Sequence, residues 1–190
     1  MSSMNIANKL TLLRIALVPF FLACFYVAGL RQSIVILDFP TTYANLFGLI
    51  LFSIAAFTDW LDGYLARKLS LVSDFGKFMD PLADKMLTTA AFLVFIDQGL
   101  IESWMVFLIL TREFTVSGLR MSAASKGVVI AAGFSGKFKT VLQFLTVILL
   151  LIHPYLTTIN LVFIYGMTAA TVLSGIEYVL KNKQLLKERT

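Results

Sequence analysis

Apolar residues fill this chain in long runs, and polar residues fall mostly at the ends of those runs. Six runs stand out, at roughly 10–29, 42–66, 78–97, 103–124, 136–153 and 157–180. An α-helix needs ~20 apolar residues to cross ~30 Å of hydrocarbon, because each residue adds ~1.5 Å and the helix satisfies its own backbone hydrogen bonds. The pattern therefore predicts an all-α, polytopic integral membrane protein with six transmembrane helices. Short connections leave no room for a separate soluble domain, so residues 1–190 are expected to form one transmembrane domain. Pro40, Pro81 and Pro154 fall at expected span starts or turns. Pro19 lies inside the first span, where a proline bends a helix. No internal repeat is visible.

Composition supports the membrane reading. Hydrophobic residues make up 58% of the chain and charged ones only 14%, and the mean hydropathy is +0.85, unlike a soluble domain. Asn5, Asn8 and Thr11 interrupt the first run and no small-residue cleavage site follows, so it reads as a retained span. The single cysteine, Cys24, excludes an internal disulfide and reads as a small buried hydrophobe.

Basic residues alternate between connections. Lys9 and Arg14 stand at the start of the first run. Arg67, Lys68 and Lys77 lie between the second and third, and Arg120, Lys126, Lys137 and Lys139 around the link from the fourth to the fifth. Lys181, Lys183, Lys187 and Arg189 close the chain. The intervening connections carry Arg31 alone, or Asp97 and Glu102, or no lysine or arginine between His153 and Asn160. The positive-inside rule places the basic connections and both termini in the cytoplasm, and the protein is expected in the cell membrane, that is, the inner or cytoplasmic membrane. Tyr26, Tyr43, Trp104 and Tyr155 then mark an outer aromatic belt. The net charge of +5 reads as anchoring and as attraction to anionic lipid or phosphate, with no nucleic-acid partner implied.

One stretch breaks the apolar pattern: Asp59-x2-Asp62-Gly63-x2-Ala66-Arg67-x8-Gly76-x3-Asp80-x3-Asp84. Asp59, Asp62 and Ala66 share one helix face, Gly63 and Arg67 the adjoining strip, and Gly76, Asp80 and Asp84 one face of the next helix. A short turn predicts that the two helices are antiparallel neighbours with both carboxylate pairs near one membrane surface. Two carboxylates ~5 Å apart repel by roughly 3 kcal/mol at an effective dielectric of ~20. Four together call for a cation. An all-oxygen set without histidine or thiol suits magnesium or manganese, or calcium, with a phosphate-bearing ligand. The glycines allow close approach of a ligand to the backbone, and Arg67 suits a phosphate or a carboxylate. The bland alternative is a solvated turn with charged flanks.

The motif is complete and resembles the signature of the CDP-alcohol phosphotransferases, integral membrane enzymes of phospholipid synthesis. The motif at spans two and three of six fits that family over the whole chain. The resemblance implies that Asp59, Asp62 and Asp80 bind divalent metal, Mg2+ or Mn2+ and two ions, together with the CDP diphosphate. Asp84 is implied as ligand or as the catalytic base that deprotonates the acceptor alcohol. Gly63, Ala66, Arg67 and Gly76 are implied to line the pocket for the nucleotide of CDP-diacylglycerol. A homodimer is implied only in this way. Phosphoryl-type transfer, which depends mostly on positioning and charge neutralisation, agrees with this residue set.

The acceptor is read from other polar residues. Arg112 and Glu113 sit at mid-depth in the fourth run, where a lipid-facing charge costs at least ~2.5–3.5 kcal/mol, so both are expected to face inward. Arg120, at i+8 from Arg112, and Lys137 and Lys139 at the start of the fifth run are candidates for a second anion site. That site suits an acceptor carrying its own phosphate: glycerol 3-phosphate, or alternatively inositol phosphate. The Asn5-x2-Asn8-x2-Thr11-x2-Arg14, Arg112-Glu113-Phe114 and Gly136-Lys137-x-Lys139-Thr140 strings resemble the bacterial branch of the family that uses glycerol 3-phosphate. Asn8 and Thr11 are then substrate-facing, or else belong to the polar face of an interfacial helix. Structural readings remain for the cations: anchoring for Lys137 and Lys139, and an internal pair for Arg112 with Glu113.

Two other classes compete. An ion-coupled transporter would hold its acids near the midplane, often within inverted repeats. A serine-type membrane protease would need a partnered histidine, yet His153, on the outer side, is the sole one.

Overall fold

The computed structural model describes residues 6–36, 39–68, 74–125, 133–155 and 157–183. The side chains of residues 6, 7, 36, 39, 60, 62–68, 74–78, 80, 81, 84 and 125 lie outside that description. Six α-helices occur among the described residues: α1 (Ile6–Tyr26), α2 (Tyr43–Lys68), α3 (Asp74–Asp97), α4 (Ser103–Ser125), α5 (Phe134–Ile152) and α6 (Thr158–Lys181). They coincide with the six apolar runs.

Among the described residues three stretches are long and apolar enough to cross a membrane, Asn8–Tyr26, Phe134–Ile152 and Thr158–Lys181. Within the described residues of α2 an apolar stretch runs over Tyr43–Asp59.

Two details differ from the sequence reading. The connection after α1 holds a short 3-10 turn and a two-stranded hairpin, β1 (Ser33–Ile36) with β2 (Phe39–Thr42), paired antiparallel from Ser33↔Thr42 to Ile36↔Phe39. β-branched residues favour such strands, but four residues per strand are too few for a clear period. Helix α3 also begins at Asp74, so Pro81 lies within it instead of opening it.

The chain forms two compact units, Met1–Gln98 with Val147–Pro154, and Gly99–Thr146 with Tyr155–Thr190. In the first, α1 packs along both α2 and α3, whereas α2 and α3 meet only narrowly among the described residues. Its aromatic core joins Phe21 to Phe25 and Phe52, with ring centroids 5.2 and 6.5 Å from Phe21. Helix α2 comes close to α1 at Gly48, where a Cβ would stand 2.7 Å from Phe25 Cζ. At one end of this unit, Tyr26 donates to Asp97 Oδ2 at 2.8 Å and Gln98 donates to Asn45 Oδ1 at 3.3 Å. Side-chain hydrogen bonds thus join the end of α1 to the end of α3 and the start of α2 to the residue after α3.

In the second unit α4 packs on α6, with Met105, Val106, Ile109, Val116, Ile164 and Met167 buried. Thr157 caps α6 by accepting from the Asn160 amide at 3.3 Å. Large apolar side chains remain on the outside of both units, among them Phe20, Phe57, Phe107 and Phe114. Such faces suit lipid. Tyr26, Tyr43, Trp104 and Tyr155, the expected aromatic belt, are all exposed.

Candidate active site

The signature lies on two continuous helices. Asp59, Asp62, Gly63, Ala66 and Arg67 belong to α2, and Gly76, Asp80 and Asp84 to α3. The helical spacing inferred for each group therefore holds along an unbroken backbone. The side chains of Asp62, Gly63, Ala66, Arg67, Gly76, Asp80 and Asp84 lie outside the described residues. That of Asp59 is described, and its environment is specific. Arg14 Nη1 of α1 stands 2.8 Å from Asp59 Oδ1, with the arginine side chain 1% exposed and the aspartate 41%.

A buried guanidinium is tolerable only when its charge is answered by an acid and hydrogen bonds. Arg14 reaches that acid from a strip of polar residues at three-residue intervals on α1. Asn8 is 8% exposed and Thr11 1% exposed, so the strip turns into the protein and is not the watery face of an interfacial helix. By sequence alone Arg14 reads as an orientation anchor at a membrane surface. Its partner, 45 positions along the chain, could not be seen from the sequence. The one available signal was its place in the Asn8, Thr11, Arg14 strip.

Three of the four signature aspartates fall outside the described side chains, and among the described residues no three acidic, imidazole or thiol groups gather. The donor set still fits a hard divalent cation. It is all carboxylate, and its one described member is partly open to solvent and fixed by an arginine that is not itself a ligand.

A second cluster lies on α4, α5 and α6. Arg112, Glu113 and Lys139 have side chains 9%, 12% and 7% exposed. Glu113 Oε1 lies 3.4 Å from Arg112 Nη1 and also accepts from Lys139 Nζ. Lys139 reaches on to Gln143 Oε1 at 3.3 Å, and Gln143 donates to Thr171 Oγ1 at 3.3 Å. The hydroxyl of Thr171 in turn donates to Met167 O at 2.7 Å. Three helices are thereby joined through one buried polar chain. Of the four cations proposed for an anion site, Arg112 and Lys139 come together here. Arg120 and Lys137 are exposed, with Arg120 within electrostatic reach of Arg112. Glu113 faces both buried positive charges at once.

The family model described as CDP-alcohol phosphatidyltransferase matches residues 4–175. The chain belongs to the CDP-alcohol phosphatidyltransferase family. The matched region takes in the α2–α3 signature, the Arg14 strip and the Glu113 cluster. A Bacillus subtilis protein named CDP-diacylglycerol–glycerol-3-phosphate 3-phosphatidyltransferase is 44% identical over 189 residues, 96% of this chain and 97% of its own. A Mycobacterium tuberculosis protein named probable phosphatidylglycerophosphate synthase is 36% identical over 93% of this chain and 81% of its own. A Rickettsia bellii protein with the same name as the Bacillus one is 32% identical over 92% and 93%. Family membership and the apolar helices make this a multi-pass membrane protein.

Proposed function

We propose that the protein transfers the phosphatidyl group of CDP-diacylglycerol to glycerol 3-phosphate and releases CMP, as a step of phospholipid biosynthesis. The observation that carries this reading is the near end-to-end 44% identity to the Bacillus transferase, joined to a signature complete in sequence and continuous on α2 and α3.

The chemistry follows from the residues. A free hydroxyl oxygen of the acceptor attacks the β-phosphorus of the donor. The bond from that phosphorus to the CMP oxygen breaks, CMP leaves with the electron pair, and Asp84 takes the hydroxyl proton. Asp59, Asp62, Asp80 and Asp84 would hold the divalent metal, Mg2+ or Mn2+ and two ions, which supplies charge neutralisation to the diphosphate. Gly63, Ala66, Arg67 and Gly76 line the nucleotide site. Arg112, Arg120, Lys137 and Lys139 serve the acceptor phosphate, with Arg112 and Lys139 as its buried part. All six helices span the membrane, both termini and the site face the cytoplasm, and the protein works as a homodimer.

The test is an acceptor panel with purified protein and CDP-diacylglycerol, following CMP. Glycerol 3-phosphate should give the fastest release. Faster turnover with inositol phosphate or an unphosphorylated alcohol would overturn the acceptor assignment, and no CMP with any acceptor would overturn the transferase reading.

A further inference from the structure

Among the described residues of the unit built on α4 and α6, two buried hydrogen-bond donors have no partner: Arg112 Nε and the hydroxyl of Tyr178. Both belong to the surfaces where these helices meet. Gly175 of α6 approaches Arg112 so closely that a Cβ there would lie 2.6 Å from Arg112 Cγ and 3.5 Å from its Cβ. Tyr178 follows Gly175 by three residues and so lies on the same side of α6. It is within electrostatic reach of the Arg112 guanidinium. Gly136 of α5 borders the other end of the same side chain, since a Cβ there would stand 3.7 Å from Arg112 Nη2. The Arg112 side chain thus runs between two glycines on two helices, its stem beside Gly175 and its guanidinium end beside Gly136.

A buried donor without an acceptor costs free energy, and native structures seldom leave one so unless a water, an ion or a ligand completes it. Here there are two, one of them on the Arg112 guanidinium, a cation. The missing partner is therefore an acceptor atom, and a guanidinium donor favours one that brings negative charge. Arg112 keeps Nη1 toward Glu113 at 3.4 Å and has Nε left for that partner.

We propose that Arg112 Nε and the Tyr178 hydroxyl both donate to the phosphate of the acceptor substrate, and that Gly175 is a positioning residue whose missing side chain lets Arg112 lie where it can do so. The proposal rests on the acceptor-site reading above and extends it to α6, which the motif strings do not touch.

The experiment compares Tyr178→Phe, Gly175→Ala and Arg112→Lys, purified in detergent, with KM measured separately for glycerol 3-phosphate and for CDP-diacylglycerol, and with thermal unfolding in parallel. Tyr178→Phe removes only one hydroxyl. It should raise KM for glycerol 3-phosphate about 10-fold, the worth of one hydrogen bond to a charged group, while KM for the donor and the melting temperature stay within error. Gly175→Ala should raise the same KM at least as much. If Gly175→Ala fails to fold, Tyr178→Phe still decides. An unchanged acceptor KM in Tyr178→Phe, alongside a raised one in Arg112→Lys, would overturn this proposal and leave the acceptor site standing. An unchanged value in both would overturn the acceptor site itself. Equal increases for both substrates would make Tyr178 a structural residue and also overturn the proposal.

Discussion

Arg14 of α1 and Asp59 of α2 form an ion pair, 2.8 Å from Nη1 to Oδ1, in which the arginine is wholly buried and the aspartate is partly open. The first aspartate of the signature is therefore aimed from outside the signature, by a helix that packs on both signature helices. If Asp59 serves the donor site as proposed, Arg14 acts on that site through it and is a positioning residue.

Replacing Arg14 should expose that role. Arg14→Lys keeps the charge but loses the planar fork that fixes a carboxylate. It should lower kcat/KM for CDP-diacylglycerol roughly 10- to 100-fold, a loss of about 1.4–2.7 kcal/mol. Arg14→Met should do at least as much and also lower stability by ~1–3 kcal/mol. This is less than for a fully buried pair, because water reaches Asp59. Kinetics with a CMP readout and thermal unfolding measure the two effects. Wild-type kcat/KM in both variants would show that Arg14 only packs.

The four aspartates should separate by role. Asp59→Asn, Asp62→Asn and Asp80→Asn each remove one hard anionic ligand and should abolish metal-dependent nucleotide binding, as read by calorimetry with CDP and Mg2+ or Mn2+. Asp84→Asn should keep more of that binding and lose turnover. A rate near wild type in Asp84→Asn would end its assignment as the base. Excess chelator should stop the reaction of the unaltered protein, and added Mg2+ or Mn2+ should restore it.

Glu113 should matter for both folding and the acceptor. Its carboxylate accepts from Arg112 and Lys139 at once, so Glu113→Gln leaves two buried cations without their counter-charge. A loss of ~3–5 kcal/mol is the expected scale for breaking such a pair. A second change, Lys139→Met, should recover part of that loss, because the two residues interact directly and their effects are not additive. A melting temperature for Glu113→Gln equal to wild type would mean the cations find another acceptor.

Orientation is open to labelling. In a Cys24→Ser background, a cysteine introduced at Ser73, between α2 and α3, should resist an impermeant thiol reagent in intact cells and react after the membrane is opened. A cysteine at Glu102, before α4, should show the reverse. Labelling of position 73 in intact cells would invert the topology.

Local chemistry by itself determined the membrane class, the six helices and the signature. Apolar runs near 20 residues fold as helices wherever they lie in a bilayer, because the backbone has no other hydrogen-bond partner there. The signature spacing, three, four and seven residues, is a property of one helix at a time, so Asp59 with Asp62 and Asp80 with Asp84 could be grouped before any packing was known. The hairpin at residues 33–42 was lost between such runs, because four-residue strands carry too little periodicity to register.

Tertiary structure alone decided the partners. Arg14 looked like one more basic residue near a span start, and nothing local distinguishes an anchoring arginine from one that reaches a carboxylate on the next helix. The surplus of cations on α4 and α5 was legible, but its division was not. Lys139 turns inward to Glu113 and Gln143, while Lys137, two residues earlier, is exposed. Gly175 and Tyr178 carried no motif at all, and became visible only when α6 was packed on Arg112. The physical reason is common to these cases. A helix period says which residues share a face, but a buried charge is stabilised by whatever the facing helix offers, and that depends on contacts between segments far apart in the chain.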